Sequence, residues 1–264
     1  LHATHLSTGD RLWSNMPYLR PLATITYDTI AYGWDDDGAA RGAAPGPPQP
    51  SRDPPATPAP AWAHSREGQP TMALTARHPG ADLRILVPGK FAWYCVPEQV
   101  AQREVPVLDG CTMVSTDATY VYEQFFADFG PLNLACVTKH CRRMFSLLEQ
   151  GTTVVHYCGD HPHKRANAAF LACCVCVCVL KQTAEEAFAP FLGCDPPLHP
   201  FRDAGFGVCT FQCLVLDCVR GVAKACALKH YDYARFDVDA YEPLEKLEEG
   251  DLAWIVPGKF AAFS

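Results

Sequence analysis

The chain has 264 residues, of which 48% are apolar, and 22 Lys and Arg against 29 Asp and Glu give a formal net charge of −7. The length allows one large domain or two small ones, with enough apolar residues for a sizeable core. The negative charge argues against general nucleic-acid binding, which needs clustered Lys and Arg. No run of about 18 uncharged apolar residues occurs, which argues against a membrane span.

Cysteine usage and the first residues predict an intracellular protein. Four of the fourteen cysteines lie in the apolar run 173–178, where we expect them to act as small buried hydrophobes. No CxxC pair is followed by a second pair or by spaced His, so neither a metal site nor a cofactor is expected. The N-terminus has no basic start before an apolar core, unlike a signal peptide. We therefore expect a protein of the nucleus or cytoplasm that is not secreted. Its first residue is Leu, which suggests a fragment or an incomplete gene model.

The first 80 residues differ in composition from the rest. Residues 1–36 contain aromatic and apolar side chains without a sustained period and stay unassigned. Residues 37–80 are rich in Pro, Gly and Ala, which prevents both helix formation and strand pairing, so a disordered or extended segment is predicted. The folded part is expected to begin at residue 81.

Short strands and one long helix are predicted for the next seventy residues. Residues 83–87 and 91–96 are β-like runs split by a Pro-Gly turn, and 112–115 is a third extended run. Pro131 suits the first turn of a helix, and Gly151 is expected to end that helix. Apolar side chains repeat at helical spacing between them, at Leu134, Val137, Cys141, Phe145 and Leu148.

Residues 151–180 form the centre of the predicted fold. The run 152–157 reads as a buried strand, 158–163 as a polar loop and 164–180 as a buried helix. A loop before a helix N-terminus is a natural anion site, because the first turn presents unpaired N–H groups. Cys158 opens the loop and Lys164 and Arg165 close it, which is the layout of a cysteine-dependent phosphatase.

Three further helices are predicted toward the C-terminus. Thr183 to Glu186 is a capping box that starts a helix ended by Gly193. A second amphipathic helix is indicated by apolar residues at Phe211, Leu214, Val215, Cys218 and Val222. Residues 231–251 contain eight acidic residues and predict an acidic helix over 239–249, which is either a solvated face or a surface for a basic partner. Strands followed by helices at these lengths predict an α/β fold with a central sheet.

One hexapeptide occurs twice. Val-Pro-Gly-Lys-Phe-Ala at 87–92 recurs letter for letter at 256–261. The repeat predicts a duplicated module of which the chain holds one copy and the opening of a second. A duplicated exon in a faulty gene model is the alternative.

Several ordered motifs resemble a known family. The run 122–135, Tyr-Glu-Gln-Phe-Phe-Ala-Asp-Phe-Gly-Pro-Leu-Asn-Leu-Ala, and the runs 155–157, 164–170, 185–188, 200–207, 236–242 and 254–260 are similar to the N-terminal domain of the cell-division-cycle-fourteen type of dual-specificity protein phosphatase. The resemblance covers roughly residues 84–264 and does not extend to residues 1–80.

The resemblance implies a three-layer phosphatase-like domain, with a central, mainly parallel sheet flanked by helices, at residues 81–231. It further implies an acidic linker helix at 232–251 and the first strand of a second, catalytic domain at 252–264. Such a first domain is non-catalytic and helps to select phosphoproteins with basic residues near phosphoserine or phosphothreonine before proline, and phosphotyrosine. The implied partners are these substrates and the missing catalytic domain, with no nucleic acid and no membrane.

The loop itself departs from what cysteine-based catalysis needs. A thiolate must be followed five residues later by an arginine that binds phosphoryl oxygens in a fork, yet Lys164 stands there and Arg165 is one place too far. Asp160 would repel a dianion, Pro162 removes an N–H donor and Ala166 replaces a hydroxyl. We therefore expect no catalytic residue in the degenerate loop formed by Cys158, Asp160, Lys164 and Arg165.

Acidic residues are the candidates for a substrate groove. Asp128 and Asp203 are possible general acids, although capping or ion pairing explains each more simply. His161 and His163 flank the loop, where they either contact an anion or are exposed polar residues. The predicted groove residues are Asp128, Glu185, Glu186, Glu242, Glu245 and Glu248.

Three hypotheses follow. The first is the substrate-recognition half of a dual-specificity phosphatase that lacks the Cys-x5-Arg motif. The second is a pseudophosphatase adaptor for basic phosphoproteins, and the third is a weakly active phosphatase that uses Cys158.

Overall fold

A four-stranded sheet in the order β1-β2-β4-β3 forms the centre of the fold. The computed structural model describes residues 74–256 and 258–263, so the predictions for 1–36 and for most of 37–80 lie outside the described residues. The strands are β1 (Asp82–Val87), β2 (Phe91–Val96), β3 (Cys111–Ser115) and β4 (Thr153–Gly159). β1 is antiparallel to β2, whereas β2 and β3 run parallel to β4 on either side of it. The predicted central, mainly parallel sheet is confirmed.

Helices cover both faces of the sheet and make three layers. Along β2, alternate side chains point to opposite faces, as the pleat requires. Those of Phe91, Trp93 and Cys95 enter the large core, which α2 (Leu134–Glu149), α3 (Pro162–Cys178), α4 (Ala184–Phe188) and α5 (Val215–Ala227) cover. Those of Ala92, Tyr94 and Val96 enter a smaller core against Val100 and Ala101 of α1 (Glu98–Arg103). The predicted three-layer α/β fold is confirmed.

Helix α3 is buried almost all round because it lies at the middle of the helical layer, in contact with α2, α4, α5 and β4. Every residue from Arg165 to Cys178 is buried, which confirms the cysteines as buried hydrophobes. The predicted start at Lys164 is wrong by two residues. Pro162 occupies the first turn, where its missing N–H costs nothing, and His161 caps the helix by accepting a hydrogen bond from the His163 N–H at 3.3 Å.

Two other helix predictions need correction. α5 begins at Val215, so Phe211 and Leu214 precede it; the backbone before it is extended because Cys213 pairs with Phe201 in an antiparallel bridge. The predicted acidic linker helix is not one helix. It consists of α6 (Val238–Tyr241) and a separate 3-10 turn (Leu247–Glu249). Pro243 lies between them, and a proline cannot occupy a helix interior without a kink or break.

The second copy of the repeated hexapeptide forms a hairpin of its own. Strands β5 (Ala253–Val256) and β6 (Phe260–Ala262) pair in a separate two-stranded sheet. Assignment of this hairpin to a second domain stays a prediction. Over the part of the chain that the structure describes, no helix has the length and apolar character needed to cross a membrane.

Candidate functional site

The candidate site lies where three parallel strands end. Strands β2, β3 and β4 run in the same direction, so the chain leaves all three at one edge of the sheet. Ligand sites of open α/β sheets lie at this edge. Here Glu98 follows β2, Asp117 follows β3, and the loop into α3 follows β4.

Cys158 is not presented to this edge. It was predicted to open the loop, but it is the penultimate residue of β4, opposite Cys95 of β2, and is fully buried in the large core. Burial raises the pKa of its thiol well above the ordinary value, and the neighbouring Cys95 raises it further. A thiol held in its neutral form inside the core is a poor nucleophile, because the thiolate is the reactive species.

The chain's own carboxylates occupy the space where the loop would hold an anion. The backbone N–H of Gly159 donates to Asp117 Oδ2 at 2.7 Å, and Lys164 forms an ion pair with Glu98. The Glu98 carboxylate lies so close to Gly159 that a Cβ built there would overlap its Oε2 atom. The Glu98 N–H in turn donates to Asp160 Oδ1 at 2.9 Å. Carboxylates of the chain itself therefore occupy the positions at the start of the loop where an anion would bind. We call this arrangement the filled loop.

The electrostatics of this arrangement disfavour a phosphate. Burial raises the pKa of Asp117 against the opposing effect of its hydrogen bond from Gly159. Burial also tends to raise the pKa of Glu98, but hydrogen bonds from Lys164 and Gln102 bring it below the ordinary value. Lys164 is thus already paired with Glu98. An incoming dianion would be repelled by the carboxylates of Glu98, Asp117 and Asp160, which surround this one ammonium group.

Arg165 points away from the loop. Its side chain is buried, and Nη1 donates to the carbonyl oxygen of Pro196 at 2.9 Å. The extra residue before it places it on the inner face of α3, so it supports the loop at 195–197 and does not face the anion position.

A cleft of about 180 Å³ lies beside the helix N-terminus. Thr116, Asp117, His161, His163 and Lys164 are among the residues that line it. The His163 ring stacks on Phe129 with centroids 3.9 Å apart, and burial together with the neighbouring His161 and His199 lowers its pKa. His163 is therefore partly buried and packed, whereas the sequence left open whether it is simply exposed.

The predicted groove acids lie in separate places. Glu242 pairs with Lys139, and Glu245 accepts from Asn133 Nδ2 at 3.2 Å, so both lie against α2. On α4, Glu185 pairs with Arg220 of α5 at 2.9 Å and Glu186 closes the capping box. Glu248 is exposed in the 3-10 turn.

The two possible general acids act as local backbone acceptors. Asp128 is buried, accepts the Phe126 N–H at 2.8 Å and receives the Tyr122 hydroxyl. Asp203 accepts the Gly205 N–H at 3.3 Å in an exposed loop. These contacts are local hydrogen bonds within loops, and neither aspartate caps a helix.

The sequence reasoning missed the two carboxylates that matter most at the site. Glu98 begins α1, a short helix that was not predicted. Asp117 follows β3 in a loop for which no functional residue was predicted. Two signals were available. Pro97-Glu98 is typical of a helix start, and both acids come two residues after predicted strands of a sheet that was expected to be mainly parallel.

A mainly parallel sheet whose central strand leads through a short loop into a buried helix is consistent with a phosphatase-like α/β domain. Residues 85–225 match the family described as dual specificity protein phosphatase, N-terminal half. The match covers more than half of the chain, which belongs to this family.

Relatives from animals and yeast agree with this assignment. The chain is 48% identical over 155 residues to the human dual specificity protein phosphatase CDC14A, covering 57% of this chain and 26% of the relative. It is 42% identical over 153 residues to human CDC14C, with 56% and 34% covered. It is 33% identical over 154 residues to the tyrosine-protein phosphatase CDC14 homolog of Schizosaccharomyces pombe, with 56% and 28% covered. The chain thus spans between about a quarter and a third of the length of these relatives.

Proposed function

We propose that this chain is the substrate-selecting, non-catalytic half of a dual-specificity protein phosphatase. A separate catalytic domain would supply the cysteine nucleophile and the arginine that binds the phosphoryl group. The observation that carries the proposal is the filled loop, in which Asp117 accepts a hydrogen bond from the Gly159 N–H and Glu98 forms an ion pair with Lys164.

The filled loop argues against catalysis by this domain for two independent reasons. The Cys158 thiol is buried and its pKa is raised, so it offers little thiolate. The cation and amide that would bind a phosphoryl group already have carboxylate partners, and displacing those carboxylates would leave partly buried charges without a partner. The same two facts weigh against the hypothesis of a weakly active enzyme.

Substrate selection is supported by acidic residues that remain open to solvent. Residues 242–249 contain four Glu side chains beside one Lys, and Glu248 is exposed. An exposed acidic segment attracts peptides with Lys or Arg near the phosphorylated residue. The acidic segment thus supports substrates with basic residues near the phosphorylated residue, and the family resemblance implies phosphoserine or phosphothreonine before proline.

A hydrolysis assay tests the non-catalytic part of the proposal. The purified chain should hydrolyse p-nitrophenyl phosphate no faster than its Cys158→Ser variant. Turnover that disappears in this variant would support the weakly active enzyme instead.

A binding assay tests the substrate-selecting part. Fluorescence anisotropy should show tighter binding to a phosphoserine-proline peptide that carries lysines than to the same peptide with alanines. Glu248→Lys should weaken binding of the lysine peptide, whereas Glu149→Lys makes the same charge change at the end of α2 and should leave it unchanged. Equal affinity in wild type and Glu248→Lys would reject the acidic segment as the binding surface.

The adaptor alternative differs from the main proposal in its partner. The gene region 3′ of Ser264 should encode a His-Cys-x5-Arg-Ser/Thr motif if a catalytic half follows. An intact reading frame without that motif, together with peptide binding, would favour a pseudophosphatase adaptor.

A further inference from the structure

Two cysteines at the start of α5 form a close pair of thiols. Cys213 Sγ and Cys218 Sγ are 3.5 Å apart, and both residues are partly exposed. Both backbones are anchored. The Cys213 N–H and C=O bond to Phe201 at 3.3 and 2.8 Å, and the Cys218 N–H donates to the Leu214 carbonyl in the first turn of α5 at 3.3 Å. The backbone hydrogen bonds therefore keep the two thiols close together in the folded protein.

A second pair on the same helix shows what distinguishes the first. Cys226 lies near the other end of α5, with its sulfur 3.9 Å from that of Cys178 in α3. Cys178 is only 2% exposed, so a reagent in water cannot reach both sulfurs of this pair. Cys213 and Cys218 are both accessible. A disulfide bond is about 2.05 Å long, so joining them needs a sulfur movement of about 1.5 Å, within reach of a side-chain rotation.

We propose that Cys213 and Cys218 form a redox modification site, which hydrogen peroxide closes to a disulfide and a small thiol reopens. The Cys213 sulfur attacks one peroxide oxygen, the O–O bond breaks, and sulfenic acid and water result once the released hydroxide has taken the thiol proton. The Cys218 sulfur then attacks the Cys213 sulfur and expels the hydroxyl group, which takes the Cys218 proton and leaves as water. In total, two thiols and one peroxide give one disulfide and two waters.

The order of attack follows from the surroundings of Cys218. Burial, followed by the neighbouring Cys213 and Asp217, raises the pKa of the Cys218 thiol to about 12. Because the thiolate is the reactive species, Cys218 is the less suited of the two to attack the peroxide first, which places it second in the sequence.

A disulfide at this position is expected to be reversible. The bond would close a loop with only four residues between the cysteines, and the stabilisation from loop closure decreases for short loops. Disulfides in reducing compartments are usually transient and redox-sensing.

The consequence would fall on the adjoining loop. Residues 203–212 display Phe206, Val208 and Phe211, each more than 80% exposed. Cys213 anchors the C-terminal end of this loop through its two backbone hydrogen bonds to Phe201, and the disulfide would add a covalent tie between side chains to α5. Oxidation should therefore add a restraint at the C-terminal end of an apolar loop that Arg202 and Phe126 contact nearer its start.

Peptide mass spectrometry of the whole chain tests the site directly. The reduced protein is exposed to graded hydrogen peroxide, its remaining thiols are alkylated, and it is digested with trypsin without reduction. Residues 203–220 emerge as one peptide that contains Cys209, Cys213 and Cys218. The expected product carries one alkyl group, on Cys209, and carries three once treatment with dithiothreitol is followed by a second alkylation. The Cys178–Cys226 pair should stay reduced at the same peroxide concentration.

Matched variants locate the bond. Cys213→Ser and Cys218→Ser should each abolish the singly alkylated product, whereas Cys209→Ser and Cys226→Ser should leave the 213–218 link intact. Circular dichroism melts of each variant check folding. A link that includes Cys209, oxidation to sulfinic acid without a link, or no oxidation below the peroxide level that oxidises Cys178 would each overturn the proposal. Chymotrypsin cleavage at Phe206 and Phe211 should slow on oxidation in wild type, Cys209→Ser and Cys226→Ser, and should stay unchanged in Cys213→Ser and Cys218→Ser.

Discussion

Two histidines buried in the large core link protonation to stability. His140 of α2 and His156 of β4 are fully buried, with ring centroids 4.6 Å apart. His156 Nε2 shares a hydrogen bond with Thr116 Oγ1 at 3.0 Å, whereas neither His140 nitrogen has a hydrogen-bond partner among the described residues. Burial lowers the pKa of His156 to about 3, and burial with the neighbouring His156 lowers that of His140 well below its ordinary value. Both are neutral in the folded protein.

Acid should therefore destabilise the fold before most carboxylates titrate. An unfolded histidine binds a proton near pH 6.5 and a folded one does not, so this stability is present above pH 6.5 and is lost as pH falls toward 3. Between pH 7.5 and 5.5 we expect the two histidines to lower the free energy of unfolding by about 2–3 kcal/mol, measured by urea denaturation. His140→Leu should remove about half of this pH dependence. An unchanged difference between the two pH values in the variant would show that His140 is not the titrating group.

The carboxylates that fill the loop make a second prediction at the level of single residues. Replacing Glu98 by Gln and Asp117 by Asn removes two negative charges from around Gly159 while keeping the shapes of the side chains. Inorganic phosphate should then bind at least about tenfold more tightly, measured by isothermal titration calorimetry, because like charges at this range cost a few kcal/mol before solvent screening. Hydrolysis of p-nitrophenyl phosphate should still be absent, since Cys158 remains buried. Equally weak phosphate binding in both proteins would mean that the carboxylates do not block the loop.

At the level of elements, α4 depends on its cap. This helix has only five residues, and a helix so short gains little from its own hydrogen bonds. Thr183 and Glu186 satisfy each other's backbone N–H groups in the capping box predicted from the sequence. The cap therefore contributes a large share of the order in this segment.

Loss of the cap should be measurable. Thr183→Ala is expected to lower the free energy of unfolding by about 1 kcal/mol, measured by urea denaturation. Ser146→Ala is the matched control, because that hydroxyl is exposed and only bonds back to the Arg142 carbonyl within α2; it should change stability by less than about 0.5 kcal/mol. Equal effects of the two changes would contradict the role of the capping box.

The repeated hexapeptide shows how the whole molecule gives different roles to one local structure. In both copies the Val and Phe of Val-Pro-Gly-Lys-Phe-Ala pair across the turn, Val87 with Phe91 and Val256 with Phe260. The same hairpin register thus arises twice from the same letters. Phe91 is completely buried beneath the helical layer, whereas Phe260 is 68% exposed.

One substitution made in each copy should therefore have very different effects. Phe91→Ala removes a ring from the core and should cost about 3–5 kcal/mol in thermal or urea denaturation. Phe260→Ala should change stability by less than about 0.5 kcal/mol, because the ring already contacts water. Comparable losses at the two positions would show that the second hairpin is packed in solution.

Sequence patterns predicted the fold better than the site. The burial of β4 and α3 could be predicted because both are continuous runs of apolar residues. The family motifs predict the same strand and helix. The continuous acidic helix was predicted wrongly because charge was given more importance than Pro243. The burial of Cys158 and the displacement of Arg165 to the inner face of α3 could be suspected from the spacing, but the spacing does not show where either side chain lies.

The sequence by itself determined the α/β class, the hairpin of the repeated hexapeptide, the capping box at Thr183 and the mismatch between Cys158 and Lys164, because each depends on neighbours along the chain. Only the tertiary structure decided that Glu98 and Asp117 fill the loop and that Cys213 and Cys218 share one surface. Parallel strands bring their ends together from positions about twenty to sixty residues apart, and a linear pattern contains no distance across that gap.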